Sequence, residues 1–286
     1  MRVGVGLPTT VPDLTGPVLV DWASESERLG FSTIGALDRL VYRNLEPMAA
    51  LASAAAVTSR IGLAATVFIA PYRLDTGLFA KQAATVQEIS RGRLTVGMSA
   101  GLRQDDFAAT GATYQDRGRR LDTMIETCQA IWSGTAQGTH TGIGPVPAQG
   151  RPALLVGGNS EAALRRVAKY ADGWVAGSGS PQQYADMLSK LRDYWQEHGR
   201  TGTARAQALV FYALGPDAPT TAERHLSHYY AFLGRYAKVM VDKAVTDASQ
   251  LREVIAGYRE VGCAELLFFP CSGDLRQLEL LARTAL

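Results

Sequence analysis

Short apolar runs alternate with longer segments of helical spacing along the chain. Ile61 to Phe68 is an apolar, β-branched run that is too short for a helix and is followed by Pro71. Leu78 to Ile89 then has helical spacing, and Gly92 stands where such a helix would end. Leu94 to Met98 is a second apolar run. Two buried strands joined by a helix predict a βαβ unit with parallel strands. The helix is expected to bury Leu78, Ala80, Ala83, Ala84, Val86 and Ile89.

The same alternation extends over the whole chain and predicts eight strands, each followed by helical spacing. A single α/β domain, a (β/α)8 TIM barrel over residues 1–286, is therefore expected, and an open doubly wound sheet is the alternative. The expected strands are Val3 to Leu7, Phe31 to Leu37, Ile61 to Phe68, Leu94 to Met98, Ala153 to Val156, Gly173 to Ala176, Ala206 to Leu214 and Glu265 to Phe269. The expected helices include Val18 to Leu29, Met48 to Ala56, Glu161 to Tyr170, Gln182 to His198, Thr221 to Tyr236, Ser249 to Val261 and Leu275 to Ala285.

Residues 102–151, after the fourth strand, depart from this pattern and are interpreted as an insertion. Asp105 to Trp132 has mixed helical spacing, whereas Ser133 to Arg151 is rich in Gly, Thr and Pro. Long irregular connections are often lids or binding loops. The insertion, and residues 133–151 in particular, could form a substrate lid; a solvated surface loop is the alternative.

Composition and charge exclude several other classes of protein. The 286 residues are 47% hydrophobic and 20% charged, as in ordinary soluble domains. The net charge of +2, without a charge run, gives no support for binding to nucleic acid or to a membrane surface. No apolar run approaches the roughly 18 residues of a spanning helix, and the N-terminus lacks the apolar core of a signal peptide. The three cysteines show no metal-binding spacing, so a reducing cytoplasm is expected.

Small residues crowd the ends of the third and fourth strands. Ligands of α/β sheets and barrels bind at the carboxyl ends of the strands, and small side chains there leave room for a large, flat molecule. These residues are Ala64, Ala65 and Thr66 on the third strand, and Gly97, Ser99, Ala100 and Gly101 on the fourth.

A glycine-rich turn follows the fifth strand and opens a helix: Gly157, Gly158, Asn159 and Ser160. The glycines let the backbone approach a ligand, Ser160 can cap the helix, and the free N–H groups there favour an anion. A plain strand-to-helix turn with a capping side chain is the alternative. Gly177-Ser178-Gly179 follows the next strand and could add to the same site or be a similar plain turn.

Four segments together resemble the bacterial luciferase-like superfamily. In chain order they are ERLGFSTIGALDR, RIGLAATV, AKQAATVQEISRGRLTVGMSAG and PALLVGGNSEAALRRVAKYADGW. The superfamily contains flavin-dependent monooxygenases and deazaflavin-dependent oxidoreductases. The resemblance implies a TIM barrel, a flavin-type cofactor and a homodimer.

The resemblance also implies roles for individual residues. Gly158–Ser160 would hold the phosphate of the cofactor. Thr66-Val67 matches a position where the family often has a cis peptide behind the isoalloxazine ring. Ser99 matches the position that faces the reactive edge of the ring. Thr66, Val67, Ser99, Gly157 to Ser160, Gly177 and Ser178 are therefore the expected cofactor-binding residues, together with Arg103.

Arg103 is included because the chain departs from the luciferase pattern. Luciferase has an arginine that assists with phosphate where this chain has Ala100, and Arg103 is a possible substitute. Asp38-Arg39 stands where luciferase has a carboxylate followed by its catalytic histidine. Asp38, Arg39 and Ser99 are the catalytic candidates, although Asp38 could instead pair structurally with Arg39 or another barrel residue.

The histidines and tyrosines provide further candidates. His225 and His228 are three residues apart, but no third ligand accompanies them, so no metal site is expected. His140 is a candidate acid or base. The candidates for lining an aromatic substrate pocket, or for ordinary packing, are Tyr72, Tyr229 and Tyr230.

Three functions are consistent with the sequence. The first is a flavin-dependent monooxygenase that uses reduced FMN and dioxygen on a small organic substrate, with a separate flavin reductase supplying the reduced flavin. The second is a dehydrogenase or reductase that transfers hydride through the deazaflavin coenzyme F-420. The third is a non-catalytic flavin-binding protein, against which the many small residues at the strand ends argue.

Overall fold

Eight parallel strands close into a barrel in which each strand pairs with the next along the chain and the eighth pairs with the first. The computed structural model describes residues 1–286. The closed barrel confirms the (β/α)8 prediction, and the open doubly wound sheet is wrong. The strands are β1 (Arg2–Gly6), β2 (Thr33–Ala36), β3 (Gly62–Ile69), β4 (Leu94–Ser99), β5 (Ala153–Gly157), β6 (Gly173–Ala176), β7 (Arg205–Tyr212) and β8 (Glu265–Pro270).

Eleven α-helices surround or cap the barrel, and none combines the length and apolar composition that a membrane span needs. They are α1 (Gly16–Leu29), α2 (Pro47–Val57), α3 (Thr76–Ile89), α4 (Gln104–Thr110), α5 (Arg117–Trp132), α6 (Glu161–Tyr170), α7 (Pro181–Glu197), α8 (Ala218–Tyr229), α9 (Ala237–Asp242), α10 (Ala248–Glu260) and α11 (Arg276–Ala285). Short 3-10 segments cover Ala70–Tyr72, Gly138–His140 and Ala231–Tyr236.

Local sequence signals set several helix ends where the pattern predicts them. Gly30 follows α1 with a φ of 91°, a left-handed conformation that glycine adopts without steric cost. Pro47 occupies the first turn of α2, where its missing N–H costs nothing. The side chain of Ser180 caps α7 in a reciprocal arrangement with Gln183. These ends fix where the chain leaves each helix and returns to the barrel.

Helix α3 buries a different face from the one that the apolar spacing alone indicates. Ala80, Ala83 and the other small residues are buried, but Leu78 is 53% exposed and Ile89 is 46% exposed. At about 100° per residue, positions eleven apart lie on the same side of a helix. Leu78 and Ile89 therefore share one side, and it is opposite to the stripe that packs on the barrel.

The single helix expected from Thr221 to Tyr236 is wrong. Helix α8 ends at Tyr229, a 3-10 segment follows, and α9 is an additional helix that the sequence pattern did not indicate. Gly234 has φ 56° and ψ −128°, far from helical values, so the chain changes direction there. The break produces a short cap of 3-10 and α-helix above the barrel.

The insertion at residues 102–151 contains one helix that belongs to the barrel itself. Helix α5 packs between α3 and α6, and the indole N–H of Trp132 donates to the Ala80 carbonyl at 2.9 Å. Residues 133–151 lie against the outside of α3, where the Ala148 N–H donates to the Glu88 carboxylate at 2.7 Å. No residue of this loop lines the cavity described below. Residues 133–151 thus lie outside the cavity in this structure, and a substrate lid in the insertion stays a prediction.

A buried carboxylate closes the amino-terminal end of the barrel. Glu265 at the start of β8 is fully buried and accepts hydrogen bonds from Ser32 and Thr33 beside β2, Arg2 on β1 and Gln207 on β7. These donors compensate the cost of burying the charge. The carboxyl-terminal end has no equivalent plug and is where a cavity opens.

Candidate active site

A cavity of about 760 Å³ lies at the carboxyl ends of the strands. This volume is within the range of small-molecule sites. Eleven of the residues expected from the sequence line it: Asp38, Arg39, Thr66, Val67, Ser99, Arg103, Gly157, Gly158, Asn159, Ser160 and Gly177. Ser178 does not; it lines an adjoining pocket of about 390 Å³ that shares Asn159 and Gly177 with the cavity. The structure thus brings together residues that are far apart in sequence.

The floor of the cavity includes a cis peptide bond between Thr66 and Val67, which confirms the expectation from the family resemblance. The pairing of β3 with β4 shifts register across these two residues. The Val67 side chain packs against the backbone of Gly97 and Gly157, where an added Cβ would lie 2.8 Å from Val67 Cγ1. The two glycines are therefore needed for Val67 to occupy this position.

Ser99 ends β4 beside this floor. Its hydroxyl oxygen lies 3.4 Å from the N–H of Gly101, and its side chain is half-buried in the cavity wall. Ile69 of β3 is its cross-strand neighbour. A small hydroxyl at this point can hydrogen-bond a ligand that lies on the floor.

The glycine-rich turn forms one end of the cavity. Gly158 has a φ of 127°, and the Ser160 hydroxyl accepts a hydrogen bond from the Ala163 N–H at 3.2 Å. The capping interaction expected of a plain turn is therefore present. The N–H groups of Glu161 and Ala162 come earlier in the helix and have no acceptor within it. Together with the helix dipole they favour an anion at this end.

Two arginines that no sequence motif indicated stand at the same end. Arg166, on the helix that Ser160 caps, donates to Asp122 at 2.5 Å and to the Gly118 carbonyl at 3.2 Å. Arg117 donates to the Gly101 carbonyl at 3.1 Å. Arg166 lies six residues after Ser160, on the helix that follows the glycine-rich turn. This position is the one sequence signal that could have indicated it. The other lining residues that the sequence did not single out include Ile69, Asp106, Gln115, Val175, Leu209 and Phe232.

Asp38 is held by three donors. Its buried carboxylate accepts from the Ile69 N–H at 2.8 Å, the Tyr72 hydroxyl at 2.7 Å and the Arg73 guanidinium at 2.6 Å. Burial and the neighbouring Asp38 charge raise the pKa of Tyr72 well above its ordinary value. The structural alternative for Asp38 thus fits the geometry, with Arg73 as the partner instead of Arg39. Tyr72 is buried in this cluster and does not line the cavity.

Arg39 lies in the cavity wall without a carboxylate partner. One guanidinium nitrogen donates to the Tyr229 carbonyl at 2.6 Å, and the guanidinium carbon is 4.2 Å from the centre of the Tyr42 ring. Its Nε is buried and has no hydrogen-bond partner. Burial, followed by the nearby charge of Arg103, lowers the pKa of Arg39.

Arg103 lies close to Arg39 and makes no hydrogen bond to the glycine-rich turn. It pairs with Asp105, and its Nε is 3.4 Å from the carboxylate of Asp106. Its guanidinium carbon is 4.2 Å from the centre of the Phe232 ring. Its side chain is 10% exposed, and both Nε and Nη1 lack a hydrogen-bond partner. Arg103 therefore belongs to the aromatic end of the cavity.

The two histidines of α8 have different surroundings. His225 is buried, and burial lowers its pKa to about 4. The His228 Nδ1 lies 2.7 Å from the Tyr42 hydroxyl. His140 lies in the loop outside α3, away from the cavity. No group of three or more His, Cys, Asp and Glu side chains is placed to hold a metal ion. Two of the three candidate tyrosines, Tyr229 and Tyr230, do line the cavity.

Comparison with known proteins gives a family and several relatives. The family model described as luciferase-like monooxygenase matches residues 1–262. An uncharacterised protein of Mycobacterium tuberculosis is 28% identical over 250 residues, which are 85% of this chain and 77% of that protein. The pyrimidine monooxygenase RutA of Pseudomonas syringae is 28% identical over 200 residues, 65% of this chain and 54% of that protein.

Solved structures share the fold over nearly the whole chain. The monooxygenase RslO1 from Streptomyces bottropensis has a TM-score of 0.82 at 20% identity and covers 100% of this chain and 98% of its own. An F-420-dependent secondary alcohol dehydrogenase, solved with an F-420–acetone adduct, has a TM-score of 0.81 at 15% identity and covers 99% and 97%. The oxygenating constituent of 3,6-diketocamphane monooxygenase from Pseudomonas putida, in complex with FMN, has a TM-score of 0.76 at 16% identity and covers 99% and 97%.

Proposed function

Because the chain belongs to the luciferase-like monooxygenase family and is an oxidoreductase, we propose that it is a flavin-dependent monooxygenase that oxidises a small organic substrate with reduced FMN and dioxygen. The observation that carries the proposal is one cavity lined both by Thr66-Val67 and by the anion-favouring turn at Gly158–Ser160. A ring system with a phosphate on a side arm fits these two ends.

The residues present fit such a cofactor. The turn leaves the N–H groups of Glu161 and Ala162 for a phosphate, and Arg166, whose charge Asp122 balances, lines the cavity from the same helix. Gly177 and the other small lining residues leave space for a ring. Ser99 would donate to or accept from the edge of that ring. Reduced flavin, when bound, supplies the electrons with which dioxygen is activated.

The chain itself would orient the substrate and exclude water. Tyr229, Tyr230 and Phe232 form an aromatic wall that a substrate would contact on the side away from the turn. Excluding water from such a site strengthens the electrostatic interactions within it. Asp38 would act as a positioning residue, since its three hydrogen bonds hold the end of β2 against the segment after β3.

A separate flavin reductase would supply the reduced flavin, and the chain would act as a homodimer. Both are proposals that the family resemblance supports. The cytoplasmic location stays a prediction. The first part of the insertion, residues 102–118, is a better candidate for a substrate lid than residues 133–151, because Leu102, Arg103, Gln115 and Gly118 line the cavity.

A dehydrogenase or reductase that uses coenzyme F-420 is the second candidate. Two positions favour it: Arg39 stands where luciferase has its catalytic histidine, and Ala100 stands where luciferase has an arginine for the phosphate. Hydride transfer would then replace oxygen activation on the same cavity floor. The substrate wall of Tyr229, Tyr230 and Phe232 would serve either reaction.

Anaerobic titration separates the two candidates. The purified protein is titrated with reduced FMN and with reduced F-420, and oxygen is then admitted to each complex. Tighter binding of reduced FMN, followed by oxygen consumption that depends on the protein, supports the monooxygenase. Tighter binding of reduced F-420, with no protein-dependent oxygen consumption, supports hydride transfer. Failure of both cofactors to bind would contradict both proposals.

A further inference from the structure

Two arginines share the aromatic end of the cavity. Arg39 and Arg103 both line it, and the charge of Arg103 is close enough to lower the pKa of Arg39. Tyr229 and Phe232 lie against their guanidinium groups, with ring centres 5.2 Å from Arg39 and 4.2 Å from Arg103. Two of their buried N–H nitrogens, Arg39 Nε and Arg103 Nη1, have no hydrogen-bond partner, and Arg103 Nε faces only the Asp106 carboxylate at 3.4 Å.

Arg39 is the one arginine at this end of the cavity that forms no ion pair, although the two arginines and Asp105 and Asp106 balance in number. Arg103 is balanced by Asp105 and Asp106, the latter also holding the N–H groups of residues 40 and 41. Asp38, the nearest other carboxylate in sequence, is paired with Arg73. Arg39 forms no ion pair. Buried N–H donors without a hydrogen-bond partner are costly and are normally satisfied by one.

We propose that Arg39 and Arg103 bind a carboxylate on the substrate, so that the substrate is an organic monoanion with a planar, apolar body. This inference rests on the proposed function, because it takes the molecule bound here to be the one oxidised. Arginine's fixed fork of donors matches the two oxygens of a carboxylate. A single carboxylate would give Arg39 the anionic partner that it lacks within the protein. The apolar body would lie against Tyr229, Tyr230 and Phe232.

The cofactor phosphate is the competing occupant, and the geometry disfavours it. The glycine-rich turn already offers free N–H groups and Arg166 at another part of the cavity. Arg103 makes no hydrogen bond to the turn at residues 158–160.

The test uses benzoate and benzamide, which have nearly the same shape but differ in charge. Each is titrated calorimetrically into the purified protein and into Arg39→Gln, with Arg43→Gln as the matched control. Arg43 is exposed, forms no ion pair and does not line the cavity. Benzoate should bind the unmodified protein on the order of tenfold tighter than benzamide, as expected for hydrogen bonds to a charged group. Arg39→Gln should abolish that preference, and Arg43→Gln should keep it.

Equal affinities for benzoate and benzamide, or no benzoate binding, would overturn the proposal. So would an unchanged preference in Arg39→Gln. If Arg39→Gln does not fold, the benzoate preference of the unmodified protein and its weakening by salt decide the question. The same variants are titrated with FMN. A large loss of FMN affinity without a benzoate preference would assign the arginines to the cofactor. Failure of the unmodified protein to bind any flavin would refute the proposed function while leaving a benzoate preference standing.

Discussion

Asp38 and Arg73 form a buried ion pair with an N–O distance of 2.6 Å, 35 residues apart in sequence. The pair joins the end of β2 to the segment that follows β3, directly beneath the cavity wall. It favours the structural alternative for Asp38, whose catalytic role stays a prediction.

Replacing Asp38 by Asn should therefore act first on stability. Arg73 would keep only the exposed Glu46 carboxylate, 3.2 Å away, as a charge partner, and breaking the buried pair should cost up to about 3 kcal/mol. Urea unfolding measures this loss. Asp242→Asn is the control, because Asp242 pairs with Lys238 on the exposed surface, where such a pair contributes less than about 1 kcal/mol. Similar losses in the two variants would contradict a structural role for Asp38.

Ser160→Asp should separate helix capping from phosphate binding. Aspartate caps a helix as well as serine does, so α6 should keep its stability. The added negative charge should weaken FMN binding on the order of tenfold or more, because like charges in close contact repel. Fluorescence titration with FMN, and with riboflavin, which has no phosphate, measures the effect. Ser160→Asn is the neutral control. An equal loss of riboflavin affinity would show that the phosphate does not bind at this turn.

Gly157→Ala should destabilise the protein through the cavity floor. The added Cβ would approach Val67 Cγ1 to 2.8 Å, and overpacking of this kind costs about 1–3 kcal/mol. Val67→Ala removes the clashing atoms, so the double variant should recover much of the loss in thermal unfolding. Gly16→Ala, at a helix position with open space, should be nearly neutral. Additive effects of the Gly157 and Val67 substitutions would refute the contact.

Glu27 should make stability depend on pH in the acid range. Burial raises its pKa, but hydrogen bonds from the backbone N–H groups of Ile61, Arg60 and Ser59 outweigh it and lower the pKa to about 2. The folded state thus favours the charged form, and the resulting stability is complete above the unfolded pKa near 4.5. It should be lost, to the order of 2–3 kcal/mol, as pH falls from there towards 2.

Glu27→Gln should flatten this part of the pH profile in denaturant unfolding. Glu260→Gln, at an exposed position, should leave it unchanged. A profile for Glu27→Gln with the same acid slope as the unmodified protein would mean that the three backbone contacts do not hold the charged carboxylate.

The fold and much of the cavity could be predicted because they depend on local patterns. Alternating strands and helices define the barrel, and turns such as Gly157 to Ser160 necessarily reach its carboxyl end. A structural alternative for Asp38 could be predicted, but its partner Arg73 could not, because Arg73 comes from a different strand-to-helix connection and no spacing relates the two residues. Arg117 and Arg166 were missed for a similar reason: they enter the cavity from outer helices, where arginine is ordinarily a solvated residue.

Irregular backbone further limits what can be predicted from the sequence. The break at Gly234 divides an apparently continuous helical pattern, and glycine within such a pattern does not by itself show whether the helix continues. The position of residues 133–151 depends on contacts with the outside of α3, such as that of Glu88, which lies 60 residues from its partner Ala148. Neither feature has a signal in the local sequence.

The Glu265 hub has a consequence for how such an enzyme can change. It ties the first two and the last two strands together at the seam where the barrel closes, on the face away from the chemistry. Closure therefore does not depend on the loops that shape the cavity. Cavity-lining segments that do not support the scaffold, unlike Asp38 and Gly157, are therefore the suitable places for exchanging sequence to redirect specificity.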